Sequence, residues 1–445
     1  VDATRSILLT DLYQLTMLQG YFEQEMRDTA VFELFIRGLP PDRGFYVAAG
    51  LEQLVGFLEQ AHFTEEELDW LRQCGKFNDA FVDSLADWRF TGDLHAMPEG
   101  TVCFPNEPLA RITAPLREAQ LVESRLINIL HLQTLIATKA VRCVLAAPGK
   151  LLVDFGLRRA HGAEAGLFAA RASYIAGFAG SATVLADKCW GVPSFGTMAH
   201  SFVEAHAREA DAFEHFAYAQ PNNVVLLIDT YDTEEAAETV TRLAPRLGQH
   251  GIQIKSLRLD SGDLNTHAHH VRGILDRAGL RDVHIFASGG LDERDLAVLA
   301  SQGAPIDGFG IGTKLDTSAD FPYLDCAYKL QEYAGTARRK RSEGKASWPG
   351  RKQVYRRLGA DGFFAEDLLT LASDPGAGEP LIHPVMRGGK RLEPAEDLGA
   401  IRKRLGGQLE RLAPGVKLLT GPSPYRVRVS DSLRALAEEV DRRPH

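Results

Sequence analysis

The chain has no cysteine pair. Its five cysteines, Cys74, Cys103, Cys143, Cys189 and Cys326, are scattered along 445 residues without a CxxC spacing. That excludes a zinc ribbon and the disulfide framework of a small secreted domain, and leaves reduced thiols as the expectation. Long apolar runs are also missing: no uninterrupted stretch approaches the roughly 18 residues a membrane span needs. The opening VDATRSILLTDLYQ lacks the basic, apolar and small-residue succession of a signal peptide. The expectation is a cytoplasmic protein that neither enters a membrane nor is secreted. An excess of positive charge is absent too, with 50 Lys+Arg against 59 Asp+Glu and a formal net charge of -9. This argues against a nucleic-acid binder held by counterion release, although a local basic site for a small polyanion remains compatible. There is no long internal repeat and no low-complexity tract. What is present is an ordinary globular composition, 45% hydrophobic and 24% charged, at a length that suits two or three domains.

The most regular pattern lies between Leu151 and Thr313. Five short apolar runs, rich in β-branched residues, each end in a polar or glycine cluster: LLVDFG from Leu151, VVLLIDTYD from Val224, IKSLRLDSGD from Ile254, VHIFASGG from Val283 and IDGFGIGT from Ile306. They read as buried parallel strands, and the intervals between them hold helix-like segments such as EEAAETVTRLAPRL and ERDLAVLASQG. An unbroken βα rhythm without a GxGxxG turn favours a β/α barrel over a doubly wound nucleotide sheet. GVPSFGT from Gly191 is a candidate further strand. Upstream, AVFELFIRGLP and GFYVAAG read as strands, EEELDWLRQC and VDSLADWRF as short helices, and REAQLVESRLINILHLQTLIATKAVRCVL as one long connecting helix. The expected fold is α/β: an irregular β/α barrel over 136–345, with an α+β N-terminal domain over 1–135 completed by a C-terminal segment, 346–445, that packs back on it.

A β/α barrel builds its site at the C-terminal ends of its strands. Here those ends carry Asp154, Arg158 and Arg159; Asp229 and Asp232; Arg258, Asp260 and Asp263. An aspartate at one strand end commonly caps the next helix, but three acidic ends on one rim fit cation or polyol binding. The last two strands end in Ser288-Gly289-Gly290 and in Gly310, Gly312 and Thr313. One such glycine cluster is often only a turn. Two side by side point to backbone N–H groups cradling an anion, where barrels of this kind often hold phosphate. The basic run Arg338, Arg339, Lys340 and Arg341 is either solvated loop or a phosphate clamp. HAHH at His267, His269 and His270 mimics metal-ligand spacing but falls within an expected helix and reads as surface. The DFG at Asp154 lacks the other protein-kinase motifs.

In order along the chain stand TDLYQLTM from Thr10, EPLARITAPLREAQLVES from Glu107, DFGLRRAHG from Asp154, GTMAHSF from Gly196, LIDTYDT from Leu227, RLDSGDL from Arg258, FASGGLDE from Phe286 and GFGIGT from Gly308. Together they resemble the nicotinate phosphoribosyltransferase family, from near the N-terminus to about Val354. The resemblance implies ATP-coupled transfer of phosphoribosyl from phosphoribosyl pyrophosphate to nicotinate, giving nicotinate mononucleotide and pyrophosphate in NAD salvage. It implies Mg²⁺ with Asp260 as its tentative ligand, ATP as co-substrate, and no tightly bound organic cofactor. It places Arg258 on the nicotinate carboxylate, Phe155 and Tyr13 on the two faces of the pyridine ring, and Thr197 nearby. Arg158, Ser288, Gly289, Gly290, Gly310, Gly312, Thr313, Arg338 and Lys340 would contact phosphates or ribose, with Asp260 at the ribose hydroxyls or the metal-bound diphosphate. The 338–345 loop would contact phosphates. His200 matches the family's phosphorylated histidine, with Asp229 orienting its ring. Tyr13, distant in sequence from the barrel, implies a homodimer with the active site at the subunit interface.

GSATV at Gly180 departs from the more polar stretch expected of the family. Ala182 stands where nicotinamide-using relatives carry an aspartate, which favours the acid over the amide. His131 replaces a common Asn and carries no assigned role. The rival readings are a nicotinamide or quinolinate phosphoribosyltransferase, or a non-catalytic sensor of these metabolites. Quinolinate would need extra basic groups around Arg258, and a sensor would be expected to lack His200, Arg258 or Asp260.

Overall fold

The architecture was obtained as a computed structural model that describes residues 3–342 and 345–443. Of the 338–345 loop, Glu343 and Gly344 lie outside the described residues. The chain divides into two compact units, one of residues 1–135 and 323–445 and the other of residues 136–322.

In the first unit, seven strands form an antiparallel sheet ordered Thr336–Ala337, Cys326–Tyr333, Thr29–Ile36, Pro108–Pro115, Asp93–Ala96, His383–Arg387 and Lys390–Arg391. Chain from far apart in sequence therefore meets in one sheet: Thr29–Ile36 lies between Cys326–Tyr333 and Pro108–Pro115. Its Glu33, fully buried, is satisfied by a later strand, Lys352–Leu358, through the Lys352 ammonium at 2.7 Å and the Lys352 N–H at 3.0 Å. A buried carboxylate without those partners would be strongly destabilising. Two expectations shift here. The helix expected in VDSLADWRF is confined to Asp79–Asp83, where Asn78 caps the Phe81 N–H and so starts the helix early. The single long helix is two, Leu116–Leu121 and Glu123–Ala146, separated at Val122. The second is long and apolar enough to cross a membrane by composition, but 78% of its apolar window is buried within the protein. His131 acquires a structural task on this helix: its Nε2 accepts from the Leu324 N–H at 2.9 Å, and burial lowers its pKa.

The second unit carries the parallel sheet. Its strands are β1 (Leu151–Asp154), β2 (Gly180–Ser181), β3 (Val224–Leu227), β4 (Ile254–Leu259), β5 (His284–Ala287) and β6 (Gly308–Ile311), ordered β2-β1-β6-β5-β4-β3, with every pairing parallel. Each strand pair is linked through a helix, as parallel pairing requires. The five apolar runs are β1 and β3 to β6. The sixth strand, β2, is the GSATV segment.

The ladder stops between β2 and β3, and residues 193–197 occupy that gap. Ser194 bridges Ser181, with the Ser181 N–H donating to the Pro193 carbonyl at 3.1 Å and the Phe195 N–H to the Ser181 carbonyl at 2.9 Å. On the other side, Asn223 Nδ2 donates to the Gly196 carbonyl at 3.2 Å and the Thr197 hydroxyl to the Val225 carbonyl. The candidate strand in GVPSFGT is thus one bridge and a pair of side-chain hydrogen bonds, which close a half-barrel sheet at its seam. Gly180 has no alternative at this point, because a Cβ there would lie 2.0 Å from the Pro193 carbonyl oxygen. Gly180→Ala is expected to destabilise the protein by about 1–3 kcal/mol, the range of overpacking substitutions, as measured by urea unfolding with unchanged m.

Candidate active site

The strand ends of the parallel sheet converge on one guanidinium. Arg258, on β4, donates through Nε to Ser288 Oγ at 2.8 Å and through Nη2 to Asp260 Oδ1 at 2.8 Å, and the Ser288 hydroxyl also donates to Asp260. The Arg258 side chain is 13% exposed, and its Cζ lies 5.3 Å from the centre of the Phe155 ring. The ends of β1 and β5 thereby contribute one residue each, and the end of β4 two, to a stacked, charge-paired cluster. Burial works to raise the pKa of Asp260, but the Ser288 hydroxyl, Arg258 and His200 outweigh it and hold the carboxyl below the ordinary carboxylate range.

The β3 end joins through backbone. Asp229 Oδ2 accepts from the Asp260 N–H at 3.0 Å and from Ser261 Oγ at 2.6 Å, while its Oδ1 is buried with no partner among the described residues. His200 opens the short helix His200–Glu204 just beyond the seam. Its Nδ1 meets Thr230 Oγ1 at 3.1 Å and its Nε2 faces Asp260 Oδ2 at 3.9 Å. The expected partner of the imidazole, Asp229, is directed instead at the loop after β4. The neighbouring Thr230 takes the ring, because successive residues leaving a strand point to opposite sides.

The glycine clusters separate by role. Gly289 and Gly290 adopt φ of +106° and +70°, the left-handed region open to glycine, and Gly289 packs so closely that a Cβ would lie 2.0 Å from the Asp260 carbonyl oxygen. Gly310 is a strand residue: it pairs with Val153, and its bare Cα leaves room for the Phe155 ring, which a Cβ would meet at 2.5 Å. Clearance for the ring is its visible task, which narrows the second cradle to Gly312 and Thr313. Arg159, rather than Arg158, reaches that cradle, donating to Thr313 Oγ1 at 3.1 Å, and Arg158 is exposed beside it. Lys314 ties the two cradles together through Asp295 at 2.8 Å and Asp292 at 3.4 Å. Thr230, Ser261 and Lys314 were missed in the sequence, and Arg159 was named at its strand end without the phosphate role given to Arg158. Adjacency to an assigned motif residue was their only signal.

Beneath Phe155 the interior of the half-barrel holds a cavity of about 550 Å³, lined by Val153, Phe155, Thr197, Val225, Ile285 and Phe286 among others. The lining is mostly apolar, the usual character of a small-molecule site. Thr197 faces it, although its hydroxyl is already bonded to Val225. The HAHH motif lies on helix Leu264–Arg277, where His267 and His270 both contact Glu234, at 2.8 and 3.2 Å. Among the described residues no group of three or more potential ligands could hold a metal.

The remaining sequence candidates belong to the first unit. Tyr13 is in the first turn of helix Leu12–Glu23 and is 48% exposed, beside the exposed Leu9 and Leu12. Arg338 and Lys340 are exposed. Their alternating neighbours are engaged locally: Arg339 pairs with Asp441 at 3.5 Å, and Arg341 donates to the carbonyls of Val440 and Asp441 at 2.9 Å each.

Comparison with known proteins finds matches along nearly the whole chain. Residues 8–131 match the nicotinate phosphoribosyltransferase N-terminal domain, 151–343 the nicotinate phosphoribosyltransferase family and 375–437 its C-terminal domain. The chain is 49% identical over 429 residues to nicotinate phosphoribosyltransferase pncB2 of Mycobacterium tuberculosis, covering 96% of this chain and 92% of that one. It is 40% identical to the Bacillus subtilis nicotinate phosphoribosyltransferase, covering 85% and 79%. The crystal structure of human nicotinic acid phosphoribosyltransferase superposes with a TM-score of 0.89 at 31% identity, covering 97% of this chain and all (100%) of that one. The Pyrococcus furiosus nicotinate-nucleotide pyrophosphorylase gives 0.74 at 25% identity, covering 92% and 96%. By motif order, parallel half-barrel fold and matches that run almost end to end, the chain belongs to the nicotinate phosphoribosyltransferase family.

Proposed function

We propose that this chain transfers the phosphoribosyl group of phosphoribosyl pyrophosphate to the ring nitrogen of nicotinate in NAD salvage, releasing pyrophosphate and coupling the step to ATP through His200. The observation that carries this reading is Arg258, held by Ser288 and Asp260 over the face of Phe155. A planar ring bearing one carboxylate fits that pair. The ring lies on Phe155, and the guanidinium meets the carboxylate with charge-assisted hydrogen bonds through the edge that Ser288 and Asp260 leave unused. Ala182, at the end of β2, offers no carboxylate to accept from an amide, so the acid is the favoured substrate.

In the reaction the ribose C1–oxygen bond to pyrophosphate breaks and a C1–nitrogen bond forms, through a centre with oxocarbenium character. Positioning and electrostatics then supply most of the rate. Gly289, Gly290, Gly312 and Thr313 present backbone N–H groups to the 5′-phosphate, with Ser288 and Arg159 beside them and Arg158 exposed at the same rim. Arg338 and Lys340 are exposed cations suited to diphosphate. Asp260, kept ionised by its neighbours, faces the ribose hydroxyls and the growing positive charge. Mg²⁺ suits this set as an ion held largely by substrate oxygens, with Asp260 and the unpartnered Asp229 Oδ1 as the protein groups that would take it or its waters. Its chemistry there would be to neutralise the departing diphosphate.

His200 is the group for the ATP step. Thr230 at Nδ1 leaves Nε2 as the nitrogen presented for phosphorylation, on the side of Asp260. The exposed patch of Leu9, Leu12 and Tyr13 suits coverage by a second copy of the chain, in which Tyr13 would close the ring site of its neighbour.

The direct test is product formation with Mg²⁺ and phosphoribosyl pyrophosphate, supplying nicotinate or nicotinamide with and without ATP. Nicotinate mononucleotide, faster with ATP and with no amide product, is expected. Absence of both products would return the choice to quinolinate or to a sensor. His200→Ala is expected to lose ATP hydrolysis and retain slow ATP-independent transfer; surviving ATP stimulation would refute the phosphohistidine. Arg258→Gln is expected to raise the KM for nicotinate about 10- to 100-fold, the worth of a charge-assisted pair, with a much smaller change for phosphoribosyl pyrophosphate. Equal losses for both would make Arg258 structural. Asp260 acts ionised, so activity falls on the acid side as it gains a proton. Ser288→Ala removes a hydrogen bond that favours the ionised form, and the acid limb of kcat/KM is expected to move to higher pH.

A further inference from the structure

Behind the site, two buried carboxyl groups meet with no cation between them. Asp154 ends β1 and is fully buried: its Oδ1 accepts from the Gly156 N–H at 2.7 Å and its Oδ2 from Ser181 Oγ at 2.7 Å. Asp316, on the short helix Thr313–Asp316, is 2% exposed, and neither of its oxygens finds a donor among the described residues. Asp316 presses on the turn after Phe155 so closely that a Cβ on Gly156 would lie 2.1 Å from its Cγ.

The charged groups of the surrounding elements are committed elsewhere. Lys314 on the same helix goes to Asp292 and Asp295, Arg159 to Thr313, and Lys139 to Glu293 and Asp320. Arg171, on helix Ala163–Ala176, lies over Trp190, and Arg158 is exposed. Among the described residues, the one titratable group acting on Asp316 is Asp154. Two adjacent carboxylates cannot both stay ionised in such a place. Asp154, with two donors already, is the better anion. Burial first, then the Asp154 charge, push Asp316 well above the ordinary carboxylate range.

We propose that Asp154 and Asp316 share one proton, carried on Asp316 and donated to Asp154, and that this joint positions Phe155 against the Gly312–Thr313 cradle. The joint lies where the two parts of the site meet in the chain. Asp154 precedes Phe155, whose N–H donates to the Ile311 carbonyl at 2.9 Å, while the Asp316 N–H donates to the Gly312 carbonyl at 3.1 Å. Ring binding and phosphate binding are thus mechanically connected through a neutral acid. Both residues are positioning residues, touching no substrate, and their effect on substrates rests on the function proposed above.

A carboxyl whose folded pKa is raised stabilises the fold fully below its unfolded pKa, and that contribution is lost as pH rises toward the folded pKa. The test is the pH dependence of unfolding and of both KM values for the full chain, wild type against Asp316→Asn and Asp316→Leu, with infrared spectra of aspartate-labelled protein over the same pH range. The wild type is expected to show a protonated aspartate C=O band, and stability that declines as pH rises through and above the ordinary carboxyl range. Asp316→Asn keeps a donor toward Asp154: it is expected to lose the band, flatten that decline and keep kcat/KM within about threefold. Asp316→Leu removes the donor and is expected to lose about 10- to 100-fold in kcat/KM for both substrates together. A wild type without the band, an Asn variant with an unchanged pH slope, or a Leu variant as active as the Asn one would overturn the proposal. A band that shifts with aspartate-selective ¹³C labelling decides the proton even if neither variant folds, since it separates the pair from the buried Glu107. A wild type that shows the band and slope but makes no nicotinate mononucleotide would leave the shared proton standing and remove the functional reading alone.

Discussion

The site depends on one partly buried guanidinium. Arg258 cannot sit 13% exposed at a strand end without matched acceptors, and those acceptors fix the neighbouring strands. Ser288 must point in from β5 and Asp260 must fold back along β4. Asp260 in turn offers its N–H to Asp229 beyond β3. The ring of Phe155 comes from β1 to cover the cation. A single positive charge therefore sets the mutual position of four strand ends, and two of its donors are committed before any ligand arrives. What remains for a substrate is one edge of a planar fork over an aromatic face, which discriminates by shape as well as by charge.

The seam has a related consequence. A parallel sheet closed by a full seventh-strand ladder would fix every loop equally, whereas here the gap between β2 and β3 is filled by one bridge and by the side chains of Asn223 and Thr197. His200 begins its helix three residues beyond Thr197 and one strand from Thr230, so the nitrogen that would carry phosphate is placed by the seam itself. The Gly180–Pro193 approach keeps that seam narrow.

Much of this was legible in the sequence, for a definite reason. β1 and β3 to β6 are mostly buried, so their composition departs sharply from the polar clusters that end them. β2 and the Ser194 bridge were not legible as strands, since two residues of ladder leave no hydrophobic pattern, and GSATV looks like a loop. Site residues were legible as strand-end clusters, but their partners were not. Asp229 and Thr230 are adjacent, and only the direction in which each leaves the strand decides that Thr230 meets His200. Gly310 and Gly312 look equivalent in GFGIGT, yet one is clearance for an aromatic ring and the other opens a helix. Arg158 and Arg159 likewise differ only in which face of a turn each occupies. Asp316 carried no signal at all: a lone aspartate three residues past a motif reads as a surface residue until its burial is seen.

Charge explains why that aspartate is tolerable. A site for a phosphate, a diphosphate and a ring carboxylate must keep its local field positive, and uncompensated carboxylates immediately behind it would work against every ligand. Asp260 and Asp229 line the proposed site and would be useful there as anions. Asp154 and Asp316 are not exposed to it, and two more negative charges under Phe155 and the Gly312 turn would cost binding at both ends of the substrate. One shared proton halves that charge. It also converts what would be a repulsion into a hydrogen bond at the point where the end of β1 and the helix after Gly312 touch. The same atoms account for Gly156, whose missing Cβ is the space the Asp316 carboxyl fills. The DFG of the motif thus has a physical reading here: an aspartate that ends the strand, an aromatic face beneath the arginine, and a glycine that lets a second acid close behind them.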